Sequence, residues 1–128
     1  MGDEMKPLRC FAVHITGRDH ETLVNARTAG QAKQEYIRIL DDCFPALTFT
    51  DLRCRVVGKP HTSEAFQRNA QYRGMPQVQC GARVKVGDSC GTIVGHNSSA
   101  NFDVLFDEDA PKYAGMRLNV HPNSITLL

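Results

Sequence analysis

Alternation of apolar and polar side chains predicts a β-strand near the start of the chain. Residues 9–16 read RCFAVHIT, in which Phe11, Val13 and Ile15 fall on one side of an extended backbone. Such a period of two is typical of a strand with one face turned toward a core. The polar segment GRDH follows, and ETLVNAR at residues 21–27 predicts a returning strand, so the two form a hairpin.

A helical period replaces the alternation after residue 27. Thr28 followed three residues later by Gln31 is the start expected of a capping box. The apolar positions that recur at helical spacing are Ala32, Tyr36, Ile39, Leu40 and Cys43. These positions predict a helix that packs one side against the preceding strands.

A third strand is predicted over residues 48–57, TFTDLRCRVV. Leu52, Cys54 and Val56 alternate with Arg53 and Arg55, so the two arginines share the opposite face. The order strand, strand, helix, strand over residues 1–60 predicts a ββαβ layer of the α+β class, with the helix covering one face of the sheet.

Residues 61–76 are predicted to form a connecting helix. The signals for its start and stop are Thr62 or Ser63, Glu64, Arg73, Gly74 and Pro76. Phe66 and Tyr72 are the large side chains expected to anchor this short helix by packing.

From residue 77 to residue 128 the pattern changes to short apolar runs separated by Gly, Asn and Pro. ARVKV, GTIVGH, FDVLF, RLNVH and SITLL predict five strands, joined by GDSC, NSSAN, the longer DEDAPKYAG and the tight turn PN. Five short strands with these links predict a small closed β-barrel of the SH3-like type.

Composition and the first residues of the chain indicate the cellular compartment of the protein. The formal net charge is +1 and five cysteines are present, none of them in a CxxC pair. The opening MGDEMKPLRC has no apolar run typical of a signal peptide, and no segment is long and apolar enough to cross a membrane. These features predict a cytoplasmic protein that has free, mostly buried thiols and no membrane partner.

The C-terminal segment resembles known small barrels. Residues 81–109, together with LNVHPNSITLL, are similar to SH3-like barrels of the KOW and Tudor kind, through the Gly-bounded strand from Gly91 to Gly95 and the late HPNS turn. With SEAFQRNAQYRG, the chain also resembles small uncharacterised accessory proteins of phages and prophages. The resemblance implies binding of a nucleic acid or a peptide rather than catalysis, since such barrels carry many functions.

The spacing of the cysteines and histidines does not favour a catalytic or a metal site. A thiol nucleophile would be Cys90 with His96 or His121, but Cys90 and His96 lie about 20 Å apart if one strand carries both, at ~3.3 Å per residue. Zinc ligands would come from Cys80, Cys90, His96 and His121 or from Cys10 with His14, without a close ligand pair. We therefore expect no catalytic residues, no metal and no cofactor, and a thiol-dependent enzyme is the lesser alternative. The acidic run at residues 107–109 is expected to be the solvated start of a loop.

One basic strip remains as the candidate binding site. Between residues 53 and 73 it carries Arg53, Arg55, Lys59, Arg68 and Arg73, with Tyr72 among them. Arginines beside aromatic rings bind phosphates and bases, and they also form hot spots of protein interfaces. Asp41, Asp42 or Asp51 could instead neutralise the strand arginines. The exposed tip HNSSAN adds His96 and Asn97 as possible contacts.

The function expected from these features is non-enzymatic binding. The phage resemblance favours an inhibitor that docks on a host nucleoprotein or defence complex, of the anti-CRISPR type by analogy. The alternative is a module that binds DNA or RNA directly through the basic strip from Arg53 to Arg73.

Overall fold

The chain folds into two compact units in the computed structural model, which describes residues 6–41, 43 and 46–128. The units are Met1–His61 and Thr62–Leu128. Within the described residues each unit holds one α-helix and one antiparallel sheet. The predicted α+β class is therefore confirmed.

The N-terminal unit is a three-stranded sheet with a helix on one face. Its strands are β1 (Arg9–Ile15), β2 (Thr22–Ala26) and β3 (Leu52–Gly58), in the spatial order β2-β1-β3. Helix α1 (Ala29–Leu40) contacts all three strands. Both edge strands pair antiparallel with β1, which is the central strand.

The core of this unit lies between α1 and the sheet. It contains Phe11, Val13 and Leu52 from the strands and Ala32 and Tyr36 from the helix, all buried. Burial of these side chains is the main term that holds the helix on the sheet, since each large one contributes about 1.5–3 kcal/mol.

Helix α1 begins as predicted, but two of its expected core positions are exposed. The Thr28 hydroxyl accepts from the Gln31 amide at 3.1 Å, whereas the Gln31 side chain accepts from the Arg27 amide instead of completing the box at Thr28. The helix ends before Cys43, which is exposed, and Ile39 is 49% exposed. The apolar stripe is consequently shorter than the spacing predicted.

The third strand starts later than predicted because residues 49–51 form a short 3₁₀ helix. The Asp51 carboxylate accepts from the Thr48 amide at 2.8 Å, and this local bond closes a turn in place of extended backbone. Pairing with β1 then begins at Leu52, opposite Ile15.

The C-terminal unit contains helix α2 (Glu64–Tyr72) and a five-stranded antiparallel sheet. Its strands are β4 (Arg83–Val86), β5 (Ser89–His96), β6 (Phe102–Phe106), β7 (Arg117–Val120) and β8 (Thr126–Leu127). The order in space is β7-β6-β5-β4-β8, so the last strand returns to pair with the first strand of the unit.

The predicted closure of this sheet into a barrel is wrong for the described residues. Strands β7 and β8 are the two edges and do not pair with each other. Strand β8 has only two residues, and the predicted PN turn before it is a 3₁₀ helix at Pro122–Ser124. So short a final strand leaves too little backbone for a second ladder.

Helix α2 is capped and anchored by its own sequence. The Ser63 hydroxyl accepts from the Phe66 amide at 3.0 Å, which makes Ser63 the N-cap. At the other end Gly74 has a φ of 74°, and the Met75 amide donates to the Ala70 carbonyl at 2.8 Å, as in a Schellman motif. Phe66 is 1% exposed within the core of the unit.

Candidate functional site

The two arginines of β3 lie on the face of the sheet that α1 does not cover. Arg53 and Arg55 are exposed, whereas Leu52 is buried in the core and Cys54 packs against it. The prediction that the arginines share one face is therefore confirmed. Val56, which the alternation placed in the core, is 46% exposed.

Arg55 is neutralised by a partner that the sequence did not indicate. Its Nη2 donates to Glu21 Oε1 at 2.9 Å, and His14 Nδ1 lies 3.7 Å from Glu21 Oε2. Asp51 instead caps the 3₁₀ helix, and Asp42 lies outside the described residues. Among the described part of the chain, Arg53 has no ion pair.

Lys59 follows β3 on a segment that is held at its far end. The Asn25 side chain, which is 7% exposed on β2, donates to the His61 carbonyl and accepts from the His61 amide, each at 2.8 Å. Lys59 itself is exposed. Asn25 was missed by sequence reasoning because its partner lies 36 residues away and no local pattern marks it.

The outer edge of β3 is unpaired within the described residues. β3 is an edge strand of the sheet, and its register with β1 runs from Leu52 to Gly58. Val56 and Val57 are 46% and 49% exposed beside the arginines. This combination gives an open row of backbone groups flanked by both cationic and apolar side chains.

The outward side of α2 carries a second set of predicted residues. Arg68 and Tyr72 stand four residues apart, one turn of helix, and both are exposed, Tyr72 by 78%. The prediction that Tyr72 anchors the helix is wrong, because α2 packs through Phe66 and Ala70 while Tyr72 is exposed. Tyr72 instead presents its ring to solvent, with the Arg73 guanidinium 5.5 Å from the ring centroid.

Arg73 is committed to a loop of its own unit. Its Nε donates to the Ala100 carbonyl at 3.0 Å, and its Nη2 donates to the Ser99 carbonyl at 3.0 Å and to Asn101 Oδ1 at 3.3 Å. Such a fork ties the end of α2 to the loop between β5 and β6. The Nε and Nη2 groups of Arg73, which the sequence assigned to a partner, therefore donate inside the protein.

Asn97 also builds this loop rather than standing free at its tip. Its Oδ1 accepts from the amides of Ser99 and Asn101 at 3.0 and 3.1 Å, and its Nδ2 donates to Asn119 Oδ1 at 2.9 Å. Only Ser98 and Ser99 of the predicted HNSSAN tip are exposed. The expectation of an exposed tip applies to those two serines.

His96 packs edge-on against the buried ring of Phe66, with the ring centroids 5.7 Å apart. Burial lowers the pKa of His96, and the negative charge of nearby Asp103 opposes this effect only in part. The imidazole is thus partly buried and favours the neutral form, which does not suit a charged contact with a partner.

The stability of the C-terminal unit is expected to fall as the pH drops below about 6.5, the ordinary pKa of histidine. Because His96 has a lowered pKa in the folded state, the unfolded chain takes up the proton first and is favoured. Urea unfolding followed by NMR signals of β5 and β6 measures this between about pH 7.5 and about pH 5.5. His96→Gln should reduce the dependence of stability on pH, and a slope equal to that of the unaltered protein would contradict the assignment to His96.

The thiol and imidazole weighed as a nucleophile and its base stand six residues apart on one strand. Cys90 and His96 lie on the same strand, β5, as the spacing predicted. His121 Nδ1 accepts from the Asn123 amide at 3.1 Å. None of the five cysteines forms a disulfide, but only Cys10 is buried, so the prediction of mostly buried thiols is wrong. Burial raises the pKa of the Cys10 and Cys54 thiols and makes them less reactive.

The acidic run contains a structural carboxylate that the sequence reading placed in solvent. Asp107 is 5% exposed and receives two hydrogen bonds from Arg83, at 2.7 Å from Nη1 and 2.5 Å from Nη2. Arg83 Nη1 also donates to the Thr92 hydroxyl at 2.9 Å. The bond to Asp107 raises the pKa of Arg83. The pair joins β4 to the end of β6 and was missed because its members lie 24 residues apart.

Comparisons of the chain with protein-family models, with curated proteins and with solved structures found no match. Across the described residues, no three or more His, Cys, Asp or Glu side chains are grouped in a way that could hold a metal ion. No helix in residues 6–41, 43 and 46–128 is long and apolar enough to span a membrane.

Proposed function

We propose that this chain is a non-enzymatic binding protein that docks on a protein partner through exposed arginines and their apolar neighbours. The observation that carries the proposal is that part of the basic strip is used inside the protein: Arg55 forms an ion pair with Glu21, and Arg73 donates to loop carbonyls. Phosphate binding depends on several uncommitted cations, and too few remain here for a strong footprint.

The composition of the exposed surface supports a protein partner. In the N-terminal unit Arg53 stands on the same strand as exposed Val56 and Val57, and in the C-terminal unit Arg68 stands one turn from exposed Tyr72. Arginine and tyrosine are enriched among the residues that dominate the binding energy of protein interfaces. Single exposed apolar side chains are common, but here they adjoin the remaining cations.

The C-terminal sheet supports a more specific proposal about the fold and origin of the protein. The strand order of the C-terminal sheet and the 3₁₀ helix before its last strand support an SH3-like topology, with the sheet left open. Together with the resemblance to phage accessory proteins, this makes a phage-encoded inhibitor of a host nucleoprotein or defence complex the specific proposal, anti-CRISPR by analogy. Its place of action would be the host cytoplasm.

Binding of generic DNA and RNA tests the class of partner. We expect no measurable binding of short single-stranded or duplex probes at low salt. Tight binding that falls steeply with salt and is lost in the variant Arg53→Ala/Arg68→Ala would overturn the proposal. The alternative, a direct nucleic-acid-binding module, would then take its place.

Capture from bacterial lysates, with and without nuclease, tests the surface. We expect a partner protein to remain bound after nuclease treatment and to be lost in Arg53→Glu/Arg68→Glu. Lys112→Glu is the control, because it reverses an exposed charge in a loop that supplies none of the proposed contacts. Equal loss in the control, or loss of all capture after nuclease treatment, would contradict docking on a protein through these arginines.

A further inference from the structure

We infer that the outer edge of β3 accepts an acidic, extended segment of a partner protein as an additional strand. The inference deepens the proposed function and rests on it in so far as the partner is a protein. The site is the backbone of Leu52–Gly58. Main-chain hydrogen bonds would supply the pairing, and carboxylates opposite Arg53 and Arg55 would supply the selectivity.

The edge is long and open enough for strand addition. β3 has seven residues, and in the described part of the chain its only strand partner is β1. The residues from Arg55 to Gly58 are all exposed, as is Arg53. Folded proteins usually shorten or cover such edges, because an unpaired row of N–H and C=O groups recruits another strand.

The charge of the edge selects an acidic occupant. Arg53 and Arg55 project from one face, and side chains directly opposite on an added strand would lie about 5 Å away. The contact of Arg55 with Glu21 at 2.9 Å already shows a carboxylate on this face of the sheet. Arg53 has no such partner among the described residues, so its charge is available to an incoming acid.

A second copy of this chain is a poorer occupant for a reason of symmetry. Two identical antiparallel strands related by a two-fold axis must present the same face on the same side of the joint sheet. Registers centred on Arg53, Cys54 or Arg55 would then place arginine opposite arginine, and one centred on Val56 would place Arg53 opposite Lys59. Like charges directly opposite each other destabilise a ladder.

A labelled synthetic peptide that alternates glutamate with valine is the probe for the first experiment. Anisotropy titrations should show binding to the full chain, and Arg53→Glu/Arg55→Glu should weaken it about tenfold or more. Glu21→Gln should tighten binding, because it frees Arg55 and removes a competing carboxylate. Lys112→Glu should leave the affinity unchanged, and a peptide with lysine in place of glutamate should not bind.

Backbone pairing is tested on the unaltered protein, so that folding of a variant is not at issue. Two further probes carry N-methyl groups on one or the other alternate set of amides. Only alternate amides of an added strand face its neighbour, so one probe should lose binding and the other should keep it. Equal binding of both would show surface electrostatics alone and would overturn the inference.

The remaining outcomes separate this inference from the function it rests on. If the acidic peptide does not bind while nuclease-resistant capture of a protein persists, strand addition is overturned and the proposed function stands. If sedimentation shows a dimer whose affinity Arg53→Glu alters, the edge pairs with a second copy instead of an acidic partner, and the inference is overturned. Tight binding of generic nucleic acid would overturn the proposed function, whatever the peptide does.

Discussion

Replacement of Arg83 by methionine is expected to lower the free energy of unfolding of the C-terminal unit by about 3 kcal/mol. The variant keeps much of the side-chain volume but removes the bidentate hydrogen bonds that Arg83 donates to the Asp107 carboxylate, which is 5% exposed. A charge that remains buried after its partner is removed is strongly destabilising. The expected loss lies at the low end of the range for broken buried ion pairs, because the Arg83 side chain is 42% exposed and water can approach Asp107 once it is removed.

Lys85→Met is the matched control for Arg83→Met. Lys85 lies two residues along the same strand and is exposed, so its replacement should change stability by roughly 0.5 kcal/mol or less. Urea unfolding followed by NMR signals of β4 and β6 measures both. The double variant Arg83→Met/Asp107→Leu should recover much of the loss, since it removes the buried charge itself. Similar effects of Arg83→Met and Lys85→Met would refute the role given to the pair.

Gly91→Ala is expected to destabilise the same unit by about 3 kcal/mol, near the upper end of the effects of overpacking. Gly91 lies on β5 opposite Phe106. An added methyl group would stand 2.7 Å from Val104 Cγ1 and 2.9 Å from the Leu105 carbonyl oxygen. The backbone contact cannot be relieved by a rotamer change, so the strands must move apart. Thermal and urea unfolding of the two proteins would measure the difference.

Gly95→Ala on the same strand is the control for this close approach. Its added methyl group would meet Asp103 Oδ2 at 3.2 Å, and that carboxylate can turn away. We expect a loss of about 1 kcal/mol or less. If the two substitutions have the same effect, loss of glycine from a strand in general, and not the contact with Leu105, explains the result.

Local patterns predicted the elements wherever the deciding contacts lie within a few residues. Thr28 and Ser63 cap their helices through the amides three residues later, and Gly74 ends α2 with a positive φ. The limits of β3 were less predictable. A turn closed by Asp51 and Thr48 competes with extended backbone, and both residues fit either conformation.

The candidate site was predicted in part. The alternation in β3 was enough to place Arg53 and Arg55 on one face of the sheet. It could not show that Arg55 pairs with Glu21, which lies 34 residues earlier. Nor could it show that Arg73 donates to the carbonyl of Ala100, 27 residues later. The sequence does not distinguish an arginine whose guanidinium is exposed to solvent from one whose guanidinium donates to protein carbonyls.

The sequence by itself determined the α+β class, the two helices and most strand positions. These depend on side-chain period and capping, which are properties of neighbouring residues. Only the tertiary structure decided that the C-terminal sheet stays open, that Asp107 is buried against Arg83, and that β3 is an edge. Each of these depends on which distant segments of the chain meet. Bringing such segments together closes a loop of many residues, and no pattern of neighbouring residues marks where that happens.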